Sequence, residues 1–438
     1  MAVKDWSPEE QAEAKDAAVK RQGMTRPLRM GDLSRREKTE AMGLLNEKNV
    51  NIKQRIQKRI AGAKTPAPAD IAAVNSPELK PRNNSIRQMS NALVKRTESA
   101  ASGPHRLEGE SIAGTGFYFD QRRPLAEVTD DVHTLALASS RLSPKTKPSS
   151  EAKTAVALAK AHNEQGTVTF APKLVKALGG NVRQEHVGKT VNFSDVDSKV
   201  VSLMRKDRHR DVAYDNSKGV DWDSMRSVGL DANVERAHKV LQGNPEATPD
   251  IYKNPKQTGY ARSISEATPG PVEEEYKFRA AHLGSVIRGE THPGQTALDT
   301  GLLHSNEGML SNEAPIAGDT WTRRATSGQH LDVAGPVADT FISSKGDVGA
   351  GDVRVQPVGI EHAAQQAAVE GAAKTLQRKH QTEFTVPSRL LQETGGWAEP
   401  RRAAGGDAEY NAVRRDQESA ANNRNVNQRQ HQGQGALF

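Results

Sequence analysis

The 438-residue sequence contains no cysteine. That excludes disulfides, thiolate zinc sites and cysteine nucleophiles, and it fits a reducing compartment. Aromatic residues make up only 4%, too few for a large sandwich or barrel built on Tyr, Trp and Phe. Long apolar runs are also missing. No stretch approaches the length that spans a bilayer, and the opening MAVKDWSPEEQAEAKDAAVKRQ has no apolar segment of a secretory signal. A soluble protein with no membrane partner is expected.

Hydrophobic residues account for 35% of the chain. Counting the glycines brings this to about 43%, just under the usual globular range. The length is enough for a substantial core, so the deficit must sit in segments that do not fold alone. The net charge of +7 favours polyanionic partners, usually nucleic acid, although charge without clustering is a weak cue.

The composition changes along the chain, and the expected class is mainly α. Residues 1–110 read as a charged arm of helical pieces joined by linkers. Ser7-Pro8-Glu9-Glu10 is a helix start in which Ser caps, Pro fits the first turn and the acids favour the positive end. A second helix is expected over 33–63, with Leu44, Leu45, Ile52, Ile56 and Ile60 as its apolar positions and Arg55, Lys58 and Arg59 on a basic face. The segments 65–70, 76–86 and 99–105 interrupt this arm. A solvated helical arm and an arm that contacts DNA or a partner both fit it.

Residues 111–400 read as one helical core. Apolar residues fall at helical spacing in 117–144 and 151–162. The region 166–222, containing TVTF, KTVNF and KVVSLM, reads as either a short β element or an irregular insertion. A short helix is expected over 228–243, capped by Asp231 or Asn233 and stopped by Gly243. The stretch 265–313, rich in Gly, Pro, His and acids, reads as a long insertion. HAAQQAAVEGAAKTLQRKHQTE (362–383) is a strong Ala-rich helix. Residues 401–438 are polar and rich in Asn, Gln and Arg, a composition that stays disordered.

Four pieces of this core occur in a telling order. Arg141-Leu142-Ser143-Pro144-Lys145-Thr146 precedes an Ala-rich helix. The 228–243 helix ends in Leu-Gln-Gly, with Asn254-Pro255-Lys256 soon after. Then come Ala317-Gly318-Asp319-Thr320-Trp321-Thr322-Arg323-Arg324-Ala325 and, last, the 362–378 helix followed by Val386-Pro387-Ser388, Leu391-Gln392 and Trp397. Over 117–400 this order resembles a divergent helix-hairpin-helix DNA glycosylase, of the kind carried by actinobacteriophages. The resemblance implies a glycosylase-like helical core with Asp319 and Lys256 as catalytic residues. It also implies DNA contacts by Lys145, Arg323 and Arg324. The sequence departs from the family at Lys145, where the family has Gln, and in lacking a Gly-x-Gly before Lys256. The Lys256–Asp319 spacing is also far longer, which the 265–313 insertion would account for.

Such a fold holds DNA by aiming backbone N–H groups at phosphates. It takes the target base out of the stack, because the glycosidic carbon is inaccessible in a duplex. An Asp beside that carbon stabilises developing positive charge or activates water, and an adjacent Lys can attack covalently. Ordinary structural roles compete at each position. Asp319-Thr320 also reads as an N-cap pair, Lys256 as an exposed loop lysine, and Arg323-Arg324 as a solvated helix face.

No cofactor site is legible. The thirteen histidines include no His-Glu-x-x-His, and His292, His304 and His330 do not fall at ligand spacing. Asp299-Thr300-Gly301 reads as a turn. The Gly-rich stretches 178–181 and 346–352 lack the Lys-Ser/Thr of a P-loop. The end is different: Gln434, Leu437 and Phe438 resemble the Gln-x-x-Leu-Phe peptides that dock into the bacterial sliding clamp. Two readings follow. One is a phage DNA-associated protein with a glycosylase-like core, catalytic or not, acting in the host cytoplasm or carried in the virion. The other is a virion structural or minor capsid protein whose arm and tail pack on other virion proteins.

Overall fold

A computed structural model describes residues 6–21, 24, 26, 28–42, 57, 61–62, 86–102, 117–143, 146, 148–251, 254–290, 307–318, 322, 325–326 and 359–399. The described residues are mainly helical, and none of their helices is long and apolar enough to cross a membrane. Of the helix expected over 33–63, residues 35–42, 57 and 61–62 are helical. Its apolar positions Leu44, Leu45, Ile52, Ile56 and Ile60 lie outside the described residues, as does the tail 401–438.

The chain begins with α1 (Pro8–Arg21) and continues to α2 (Ile86–Ser102). Next come α3 (Phe117–Ala126), α4 (Val132–Leu142) and α5 (Pro148–Asn163). Short elements follow: β1 (Thr167–Thr169), α6 (Pro172–Leu178), β2 (Thr190–Asn192), α7 (Ser198–Met204), α8 (Arg210–Asp215), β3 (Ser217–Lys218) and α9 (Trp222–Arg226). The longer helices α10 (Asp231–Leu241), α11 (Pro255–Glu266), α12 (Pro271–Arg288) and α13 (Gly359–Lys379) precede the short α14 (Ser388–Glu393). A π-helical turn, Thr394–Ala398, continues α14. The Ser7 start of α1 is a reciprocal cap: Glu10 N–H donates to Ser7 Oγ and Ser7 N–H to Glu10 Oε2.

The core expected over 111–400 divides into two compact units, one of which takes in the described part of the expected arm. The first comprises the described residues of 1–117, 251–259 and 270–438; the second comprises those of 118–250 and 260–269. Helix α11 contributes residues to both.

In the first unit α13 is the central helix. Its small residues Ala363, Ala364, Ala368, Ala372 and Ala373 are all buried, so neighbouring helices approach it closely. Met89 of α2 and Ala41 share one apolar cluster with Ala364 and Ala368. Leu28, Leu33 and Ile251 form another with Ala363. Ser90 Oγ of α2 donates to the Ala368 carbonyl at 2.9 Å, and Leu93, Val94 and Thr97 are buried. Helix α2, with Leu28, Leu33 and Ala41, is therefore core, whereas α1 is mostly exposed, as a solvated arm would be. Burying one large apolar side chain stabilises by about 1.5–3 kcal/mol, and α2 buries several.

The expected insertion 265–313 contains α12, which is also core. Tyr276, Ala280 and Leu283 are buried there with Glu275 and Arg279. Arg279 Nη2 pairs with Glu275, Nη1 donates to the carbonyls of Leu310 at 3.1 Å and Thr385 at 2.8 Å, and Phe384 lies beneath the guanidinium. A charge removed from water is tolerable only when its hydrogen bonds are satisfied in this way.

In the second unit, α4 packs on α10 and α5. The Arg141 guanidinium is buried, its Nε donating to the Ala247 carbonyl at 2.7 Å, and burial lowers its pKa to about 10. The β alternative for 166–222 holds in part. β1 lies between β2 and β3, antiparallel to both, with Val168 opposite Val191 and Ser217. KVVSLM is helical, forming α7. Phe193, Trp222 and His238 pack edge to face, and Trp222 Nε1 donates to Ser217 Oγ. Neither expected cap of α10 acts as one. Asp231 is its first residue and pairs with Arg205 and Lys206, while Asn233 is buried and donates to the Leu142 carbonyl. Gly243, at a φ of 73°, ends the turn after the helix as expected.

Candidate functional site

The site is built in the first unit, around the segment 314–318 that leads into Asp319. This segment lies along α13. Gln366 makes two bonds to it: Oε1 accepts from Ile316 N–H and Nε2 donates to the Ala314 carbonyl, both at 2.9 Å. One turn earlier, His362 Nε2 accepts from Gly318 N–H at 3.3 Å. A Cβ on Gly318 would stand 2.7 Å from Gln365 Oε1 and 3.1 Å from the His362 ring. A larger residue there would have to displace the Gln365 amide and press on the His362 ring.

The side of α11 that belongs to this unit meets the same segment. A Cβ on Gly259 would collide with the Ile316 carbonyl oxygen and stand 2.9 Å from its carbon. Lys256 lies three residues before Gly259 in the first turn of α11, half-buried; it is a helix residue, not a loop lysine. Positions three apart share a helix face. The Arg389 guanidinium, fully buried, donates through Nη2 to the Gly259 carbonyl at 3.3 Å and through Nη1 to Gln392 Oε1 at 2.6 Å. Gln392 Nε2 in turn donates to Thr322 Oγ1 at 3.4 Å. Both flanks of residues 319–321 are therefore tied to one buried cluster, Gly318 through His362 and Thr322 through Gln392.

The electrostatics follow from the burial. His362 is fully enclosed, so its charged form is disfavoured and its pKa falls to about 4; the nearby Arg389 charge adds to the shift and the Ile316 backbone opposes it. Glu393 is also fully buried and accepts from the Tyr276 hydroxyl. Gln365 has no exposed surface, and neither its Oε1 nor its Nε2 has a hydrogen-bond partner among the described residues. A native protein leaves few polar groups in that condition.

Asp319, Thr320, Arg323 and Arg324 lie outside the described residues, as do Lys145, Gln434, Leu437 and Phe438. Of the sequence-derived site residues, Lys256 alone is described. Ser143 ends α4, its N–H donating to the Ser139 carbonyl, so this first element is a helix end. Of the stretch between α10 and α11, where the resemblance implies a hairpin, Tyr252 and Lys253 lie outside the described residues. The buried polar residues His362, Gln365, Gln366, Arg389 and Gln392 were missed as site candidates. Their legible signal was polar side chains clustered at helical spacing within Ala- and Leu-rich helices. Among the described residues no group of His, Asp or Glu stands close enough to hold a metal ion. No protein-family model, curated protein or solved structure matches the chain.

Proposed function

We propose that this is a DNA-associated protein with a glycosylase-like core that releases a base, using Asp319 as the charge-stabilising carboxylate and Lys256 as the amine. One observation carries the reading. The backbone of α11 meets that of Ile316, so the helix turn bearing Lys256 lies against the segment running into Asp319. The chain's motifs supply the rest: the two residues the resemblance assigns to chemistry are far apart in sequence, and their neighbours are in contact. In such a reaction the Asp carboxylate stabilises positive charge developing at the sugar carbon. The Lys Nζ lone pair forms the new carbon–nitrogen bond while the base departs with the glycosidic electron pair.

Lys145, Arg323 and Arg324 are the proposed phosphate contacts, and Gln434, Leu437 and Phe438 the proposed docking peptide for a sliding clamp. The test uses the full chain with duplexes carrying uracil, 8-oxoguanine or an alkylated base. Base release is expected, together with binding that weakens steeply as salt rises because the contacts are phosphate-borne. Asp319→Asn should abolish release and leave affinity nearly intact, and Lys256→Ala should remove borohydride-trapped imine. Absence of DNA binding at low ionic strength would overturn the reading in favour of a virion structural role.

A further inference from the structure

The N-terminal segment is tied to itself and meets the rest of the first unit along one face. Helix α1 is bonded to the residues that follow it: Arg21 Nη1 pairs with Glu37 at 2.7 Å, and Arg35 N–H donates to Glu13 Oε1 at 2.8 Å. Among those residues Arg26 holds Asp32 through both terminal guanidinium nitrogens. Ser34 and Glu37 cap the helical stretch 35–42 reciprocally. The face that receives the segment lies on α13. Leu28 and Leu33 are buried there with Ile251 and Ala363, and Ala41 with Ala364, Ala368 and Met89. At the rim Arg29 donates to Glu313 Oε2 at 2.9 Å and to the Glu313 carbonyl at 2.8 Å, and its Nε stands 3.9 Å from Glu370. An arginine flanked by two apolar anchors therefore meets two carboxylates at the edge of an apolar strip.

We propose that this face is a docking site for the N-terminal segment of a second copy of the chain, so that two copies exchange residues 6–42. Arg29 and Glu313 are 284 residues apart, and each contact across the face is the same whichever copy supplies the segment. Exchange of an identical element is for that reason a low-cost route to a dimer. Few large apolar side chains anchor the segment to the face, so it leaves at less cost than global unfolding. By number alone residues 43–85 extend to more than about 100 Å at full stretch, which puts a neighbouring copy within reach. Departure of a segment uncovers Ile251, Ala363, Ala364 and Ala368, and the segment of another copy fits that strip residue for residue. The rim sets the partner: Glu313 and Glu370 accept a cation between two leucines and repel an acidic chain. The exchange does not depend on base release.

Charge reversal on the full chain tests the exchange. Arg29→Glu sets like charges against each other at the rim, and so does Glu313→Arg. In a mixture of the two variants, exchange makes both rims matched again: the altered segment meets the altered face, and the native segment meets the native face. Light scattering should then show a one-to-one dimer at least about tenfold tighter than either variant forms with itself. A mixture no more associated than its components would overturn the proposal. Should either variant fail to fold, Arg29→Lys keeps the charge and supplies an amine. Full chains carrying it, one set in nitrogen-14 and one in nitrogen-15, are incubated together and treated with a carbodiimide, which couples that amine to Glu313. Linked peptides with one light and one heavy half are expected. Linked peptides of a single isotope only, or none at all, would overturn it.

Discussion

Gly259 and Ile316 meet backbone to backbone, with no room for a β-carbon between them. The crossing holds the first turn of α11 against the segment that leads to Asp319, and Arg389 fastens it by bonding the Gly259 carbonyl. Gly259→Ala should therefore destabilise the protein by about 1–3 kcal/mol, the usual cost of overpacking. Urea unfolding measures it. A midpoint equal to that of the wild type would mean the two backbones do not cross so closely.

Leu93 tests whether the N-terminal region belongs to the core. It is fully buried in α2, and Leu93→Ala should lower stability by about 2–5 kcal/mol. A solvated arm would lose almost nothing on the same substitution. A change within a few tenths of a kcal/mol, read from the denaturation midpoint, would return 86–102 to the solvent.

These two sites show what was legible in the sequence and what was not. The Ala-rich helix at 362–383 stood out because Ala favours helix at every position, and α13 covers most of it. The buried face of α2 does fall at helical spacing, through Met89, Leu93, Thr97 and Ala100, but Ser90 and Thr97 within it and the charged residues beside it made the segment read as part of a charged arm. Likewise α12 read as an insertion because its core positions include Glu275, Arg279 and His282, whose burial depends on partners distant in sequence. The contact of α11 with the segment 314–318 had no signal in the sequence. Nothing local in Gly259 announces that Ile316 will cross it.

Acid should destabilise both units through their buried histidines. His238 donates to or accepts from Ser198 Oγ at 2.9 Å and, like His362, is pushed down to about 4, chiefly by burial. A histidine depressed in the folded state binds fewer protons there than when unfolded. Its stabilising contribution is present above the ordinary value near 6.5 and is lost as pH falls towards 4. Each contributes on the order of 3 kcal/mol across that window. Urea midpoints at pH 7.5 and 4.5 should differ markedly, and the difference should shrink in His238→Gln. An unchanged pH dependence in that variant would show that His238 is not the titrating group.

Gln365 separates stability from function most sharply. Its amide is completely enclosed, and both polar atoms go without a partner among the described residues, a condition that costs about 1–3 kcal/mol of desolvation for each unmade bond. Its neighbours on α13 spend their polar groups on the segment 314–318, whereas Gln365 only abuts Gly318 there. Gln365→Leu keeps a similar volume and removes the unsatisfied atoms. It should raise the denaturation midpoint by an amount equivalent to about 1 kcal/mol or more, because an apolar side chain suits that enclosure better. If the amide serves the chemistry around Asp319, the same variant should lose base release while gaining stability. A midpoint that falls instead would mean that Gln365 is hydrogen-bonded in solution, with ordered water as the partner, and that its burial is already satisfied.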